Sequence, residues 1–147
     1  MKIGIGSDDK THLTNFVVDK VIKSGHEVVL YGPLKDDNAP WPLVSEHLAI
    51  DVKNGFVDEG ILFCYTGTGA SIAANKVPGV RAALCGDAQT ARGARWWNDA
   101  NVLVMSLRTT SEDVAGEILE AWFNEKVRDE DVVFVKMLTE IEKRNMK

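Results

Sequence analysis

Only two cysteines, Cys64 and Cys85, occur in this chain of 147 residues. Two thiols make no disulfide framework, and no Cys-x-x-Cys spacing suggests zinc. A reducing, cytoplasmic compartment is the expected location. No apolar run approaches the roughly 18 residues of a membrane-spanning helix, so no membrane partner is expected. Basic residues are the minority, 17 against 22 acidic, for a formal net charge of −5. That balance disfavours nucleic acid and anionic lipid surfaces. There are three histidines, His12, His26 and His47, and they do not cluster. No metal triad and no cofactor site follow from them, and each reads first as a surface or structural residue. His12, near the first loop, has a second reading as an acid. The stretch "MKIGIG" reads as a strand rather than a charged segment leading into an apolar one, so no secretion signal is expected. The loop "GSDDKT" lacks both Gly-x-Gly-x-x-Gly and the Walker glycine–lysine pattern, which argues against nucleotide binding.

What is present is one ordinary domain, residues 1–147, with 45% hydrophobic and 27% charged residues. Short apolar strands alternate with amphipathic helices along its whole length. Strands are expected at 2–6, 27–32, 58–65, 81–85 and 101–106. Helices are expected at 11–24, 43–54, 69–76, 88–97 and 111–124, the last capped by Thr110 or Ser111. A final helix is expected at about 132–145. This alternation predicts an α/β fold: a single Rossmann-like αβα sandwich, doubly wound, with about five parallel strands. Ligands of such sheets bind at the carboxyl ends of the strands. The candidates there are Ser7-Asp8-Asp9, Cys64-Tyr65-Thr66-Gly67, Cys85-Gly86-Asp87 and Ser106-Leu107-Arg108.

The stretch "CYTGTGAS", from Cys64 to Ser71, carries the most chemistry. Gly67 and Gly69 permit a tight strand-to-helix turn that exposes backbone N–H groups at a helix N-terminus, an arrangement that binds anions. The same positive helix end favours negative charge on a neighbouring sulfur. A thiolate beside an oxyanion pocket suits proton abstraction next to a carbonyl. From the pattern alone, a structural buried cysteine in a plain strand–helix turn competes evenly with this reading. Cys85 has no glycine-rich turn behind it and reads as a packed small residue.

The run "GILFCYTGTGASIAANKVPGVRAALC", with "NDANVL" at 98–103 and "GSDD" at 6–9, resembles the signatures of the ribose-5-phosphate isomerase B family. That family also holds the subunits of galactose-6-phosphate isomerase. The resemblance implies metal-independent aldose–ketose isomerisation of a sugar phosphate through a cis-enediolate, without a cofactor. It places the base on Cys64 and its companion threonine on Thr66. The enediolate-holding segment falls on Gly67, Thr68, Gly69, Ala70 and Ser71. Sugar contacts fall on Asp8 and Asn98, and Arg108 matches a family arginine. It also implies a homodimer or tetramer, with active sites at the subunit interface and the C-terminal helix packed on the partner.

This chain departs from the family pattern at several positions. Asp9 stands where the family has a phosphate-holding histidine, and Trp97 where it has a ring-opening histidine. Pro40-Trp41-Pro42 replaces Asp-Tyr-Pro, and two phosphate-binding arginines fall on Glu130 and Phe134. Asp9, Trp41 and Trp97 therefore belong to the expected substrate site. That site has lost positive charge and gained flat aromatic faces. The expected substrate is short and open-chain, or lacks the usual phosphate or binds it elsewhere, and ribose 5-phosphate is expected to be a poor one. Lys10, Arg92, Arg95 and Arg108 remain as cations, with Arg92 and Arg95 read as a solvated helix face. Trp96 and Trp122 are expected to be structural. Two other readings stand beside the enzyme: a non-catalytic sugar-binding paralogue, and one subunit of a two-component isomerase.

Overall fold

The structure is a computed structural model describing residues 1–146. Its strands are β1 (Lys2–Ser7), β2 (Glu27–Tyr31), β3 (Glu59–Cys64), β4 (Ala82–Leu84) and β5 (Val102–Ser106). Its α-helices are α1 (His12–Lys23), α2 (Trp41–Lys53), α3 (Thr68–Asn75), α4 (Ala88–Asn98), α5 (Glu112–Asn124) and α6 (Val132–Asn145). All strands are parallel, in the order β2-β1-β3-β5-β4. Right-handed crossovers then dictate the layers. The chain steps one way from β1 to β2, which puts α1 on one face. It steps the other way from β2 to β3 and from β3 to β4, which puts α2 and α3 on the opposite face. It steps back from β4 to β5, which returns α4 to the face of α1. The doubly wound sandwich read from the sequence is the observed fold.

Two cores follow from the period-two alternation of the strands. Ile61 and Phe63 of β3 pack with Leu13, Val17, Ile118 and Trp122 on the α1–α4–α5 side. Leu62 and Cys64 pack with Val44, Leu48, Ala70 and Ala74 on the α2–α3 side. The thiol of Cys64 therefore points toward α2 and α3. The helix starts are fixed by side-chain oxygens: Thr11 forms a capping box on α1, Asp87 accepts from Thr90 N–H on α4, and Ser111, not Thr110, caps α5. Helix α2 begins at Trp41, two residues before the expected 43, with Pro40 as its cap. Prolines there do not oppose a helix, because first-turn N–H groups have no intrahelical acceptor.

Arg95 is not on a solvated face. Its guanidinium meets Glu59 at 2.9 Å, with side-chain exposures of 12% and 11%. It also donates to the Ala100 and Glu125 carbonyls and lies over the Trp122 ring. Trp122 Nε1 donates to the other Glu59 oxygen at 2.9 Å. The network ties the first residue of β3 to α4 and α5. Glu59→Gln leaves the guanidinium without its counter-charge. The expected loss is about 2 kcal/mol in urea unfolding at an unchanged slope. A loss within experimental error would mean that water replaces the carboxylate.

Helix α6 has no buried residue. It is held at one end by Glu142, whose carboxylate accepts from Gly79 N–H at 3.0 and 3.1 Å. Val133, Phe134, Met137, Leu138 and Ile141 are all exposed on it. Among the described residues no helix is long and apolar enough to cross a membrane.

Candidate active site

The register of the sheet assembles the site. Ser7 of β1 pairs with Phe63 of β3, and Cys64 pairs with Ser106 of β5. Asp8, the residue after β1, thus emerges on one side of Cys64 and Ser106 on the other. The backbone leaving β5 locks the loop after β3: Leu107 N–H donates to the Cys64 carbonyl at 3.0 Å and Arg108 N–H to the Tyr65 carbonyl at 2.9 Å. The Ser106 hydroxyl also donates to the Tyr65 carbonyl, at 3.0 Å. The role of Ser106 as a brace was visible in the sequence only as a position at a strand end.

Cys64 is 5% exposed, and its Sγ accepts the Gly67 N–H at 3.1 Å. The turn that makes this possible is left-handed at Gly67, with φ of 84°. A side chain there would be strained, and its Cβ would also stand 2.5 Å from Leu84. Gly67 caps α3, and the Ser71 N–H is taken by the Gly67 carbonyl. The N–H groups of Thr68, Gly69 and Ala70 lie between and have no acceptor among the described residues. Three free amides at a helix N-terminus next to a sulfur form a donor set for a developing oxyanion. The hydroxyls of Thr66 and Thr68 lie 2.8 Å apart at its rim. Gly69 is required by Trp41: a Cβ there would stand 2.9 Å from the indole, which lies over the first turn of α3.

Asp8 Oδ1 is buried without a partner. Burial is the main cause that pushes the Asp8 carboxyl above its usual range, against the pull of its own and the Tyr65 backbone amides, with Asp9 adding to the rise. A raised carboxyl binds its proton more tightly in the folded state. It therefore subtracts stability as pH climbs above the unfolded value near 3.8, and the deficit persists at neutral pH. Asp8→Asn should then raise the melting temperature at pH 7 while lowering turnover by about 10²-fold. The gain in stability should shrink as the pH falls toward 4. Scanning calorimetry and initial rates on one preparation measure both; a variant that is less stable at pH 7 contradicts the assignment.

The structure thus brings together Asp8, Cys64, Thr66, the Gly67–Ser71 turn, Trp41 and the backbone of Arg108. Asp9 is exposed beside them, its carboxylate turned to the Lys10 N–H at 2.9 Å. Trp97 and Asn98 belong to a cleft of the same subunit whose lining does not include Cys64. They line it with Leu84, Thr90 and Gly93, and the Trp97 ring lies over Gly93. Leu84 touches Gly67 on one side and this cleft on the other. Trp96 is structural: its Nε1 donates to Glu125 at 2.6 Å and Arg128 lies over its ring. Glu130 faces Arg128 at 3.5 Å, and Phe134 lies on the outer face of α6. Cys85 is buried and its thiol is pushed up to about 12, mainly by burial and further by Asp87. Among the described residues no group of three or more His, Cys, Asp or Glu side chains converges as a metal would need.

The class is that of parallel, doubly wound α/β proteins, with the candidate site at the carboxyl ends of the strands. The particular family follows from comparison. The family model described as Ribose/Galactose Isomerase matches residues 3–136. A ribose-5-phosphate isomerase B of Escherichia coli is 37% identical over 122 residues, 82% of either chain. A D-erythrulose-4-phosphate isomerase of Pectobacterium atrosepticum is 37% identical over 126 residues, 84% of this chain and 83% of that one. The solved ribose-5-phosphate isomerase B of Clostridium thermocellum superposes with a TM-score of 0.92 at 39% identity, covering 99% of this chain and 100% of that one. The chain belongs to the ribose/galactose isomerase family.

Proposed function

We propose that this protein interconverts the aldose and ketose forms of a sugar phosphate through a cis-enediolate, with Cys64 as the base. One observation carries the reading: the Cys64 sulfur, receiving the Gly67 N–H, sits at the foot of the free amides of Thr68, Gly69 and Ala70. From an open-chain aldose, Cys64 removes the C2 proton. The electron pair forms the C1–C2 double bond, and the C1 oxygen becomes an oxyanion facing the three amides. The O2 proton passes to O1 by way of the Asp8 carboxyl. The C2–O2 bond becomes the ketone, and the double-bond electrons take the sulfur's proton at C1. C1 is reduced and C2 oxidised by the same electron pair, so no external redox partner enters. Losing one amide donor of such a pocket costs about 10²–10³ in rate.

The relatives support the substrate class, since one acts by name on a pentose phosphate and another on a tetrulose phosphate. The active unit is a homodimer or a larger assembly of dimers. The exposed apolar face of α6 supports this, as does the position of Trp97 and Asn98 away from the Cys64 of their own subunit. The fold and the family fit a soluble cytoplasmic enzyme. Ribose 5-phosphate is a poor substrate on this reading, because Trp97 offers no proton to open its ring.

The test is conversion of aldose phosphates of four to six carbons by the purified chain alone, followed by NMR. Ketose formation from at least one supports the reading. Activity that appears only on adding a second, different chain would instead make this one half of a two-component isomerase. Binding without conversion, at any assembly state, would make it a sugar-binding paralogue.

A further inference from the structure

We infer that the substrate of this site is a sugar phosphate that has no ring to open, and that its class is the tetrose 4-phosphates. The inference rests on the isomerase reading and narrows it. Isomerising an open chain takes two proton carriers, one for the carbon-bound proton and one for the hydroxyl proton moving between O2 and O1. The loop assembly holds both, the Cys64 sulfur and the Asp8 carboxyl. A cyclic sugar takes a third, which protonates the ring oxygen as the anomeric hydroxyl loses its proton. Imidazole suits that task near neutral pH.

The structure accounts for every histidine of the chain, and none bonds to Cys64 or Asp8 among the described residues. His12 lies on the first turn of α1 with 88% of its side chain exposed, 3.9 Å from Glu112 at the start of α5. His26 precedes β2, at the opposite end of the sheet from Cys64, where it stacks on Phe123 and meets the N-terminal amine at 3.2 Å. His47 is exposed on α2, between the buried Val44 and Leu48 positions that face the sheet. A second copy of the chain brings only the same three. The end of α4 presents Trp97, whose indole has no proton to exchange at neutral pH.

Chemistry then selects the substrate. In an aldotetrose 4-phosphate, O4 is esterified and unable to attack C1, so no five-membered ring forms, and closure through O3 would make a strained four-membered one. The matching ketotetrose has no free hydroxyl placed to close a ring on C2. Both forms present an open carbonyl to Cys64. Arg108 supplies a partner for the phosphate: its side chain is exposed, it joins no ion pair among the described residues, and its backbone N–H bond to the Tyr65 carbonyl ties its backbone to the residue after Cys64.

The experiment compares D-erythrose, D-threose and D-erythrulose 4-phosphates with ribose 5-phosphate at rising enzyme concentration. Conversion of a tetrose 4-phosphate should rise in proportion to enzyme. Conversion of ribose 5-phosphate should level off at or below its own spontaneous ring-opening rate, measured separately by NMR exchange. Trp97→His should lift that ceiling by about tenfold or more, the low end of what a placed acid contributes. Conversion of ribose 5-phosphate in proportion to enzyme, above the spontaneous opening rate, overturns the inference and leaves the isomerase reading standing. Tetrose 4-phosphates left untouched while a ring-forming sugar is converted do the same. No conversion of any sugar overturns the isomerase reading, and this inference with it.

Discussion

Cys64→Ala should reduce isomerisation by about 10²–10⁴-fold, the range for a positioned base, with the loss falling on kcat rather than KM. The sulfur is the group that the turn is built around. It ends β3, faces the α2–α3 core, and takes an N–H bond from the residue whose left-handed backbone starts α3. The alanine variant loses one buried atom and should still fold, at a cost of about 1 kcal/mol. Cys85→Ala is the matched control. Cys85 is equally buried, but it sits in the other core with its thiol pushed up to about 12. Its removal should leave the rate within about twofold, since no positioned proton transfer is lost. Steady-state kinetics on both variants, with circular dichroism to show that each is folded, measure the contrast. Equal losses in the two would mean that the sulfur of Cys64 serves packing and not proton transfer.

Phe134→Glu combined with Met137→Glu should give a monomer that is about 10²-fold or more less active. Both side chains stand more than half exposed on an amphipathic helix that has no fully buried residue in its own subunit. They lie on one stripe with Val133, Leu138 and Ile141, at the spacing of neighbouring turns. Two like charges on that stripe would have to be desolvated on association. The effect on activity follows from the proposed dimer, in which Trp97 and Asn98, lining a cleft that does not include Cys64, serve the site of the partner. Sedimentation equilibrium and initial rates measure the two effects together. A fully active monomer would show that one chain holds the complete site.

Much of this was legible in the sequence because it depends on local rules. Strand–helix alternation gives the layers, and right-handed crossovers leave little freedom in placing the helices. The spacing of Gly67 and Gly69 marks the turn that holds Cys64. Other features were hidden because they depend on contacts across the fold. Arg95 looks solvated from its neighbours on α4; only β3 and α5, far away in sequence, supply Glu59 and Trp122. The fit of Trp41 over Gly69 joins α2 to α3 and has no local signal. Which amides of the turn remain free depends on who accepts from Gly67 and Ser71. The answer, Cys64 Sγ and the Gly67 carbonyl, is a matter of geometry. The separation of Trp97 from Cys64 likewise needs the place of β4 at the sheet edge, which alternation alone leaves open.

Proton traffic at carbon is the most direct test of Cys64 as a base. The protein is incubated in D₂O with aldose and ketose phosphates of four to six carbons, and the C1 and C2 proton signals are followed by NMR beside Cys64→Ala. If Cys64 removes and returns the proton, one substrate should lose its C1 or C2 proton to solvent deuterium, and the variant should leave it in place. Deuterium incorporation that continues at the same rate in Cys64→Ala would contradict the role of the sulfur, and the base would have to be sought elsewhere in the site.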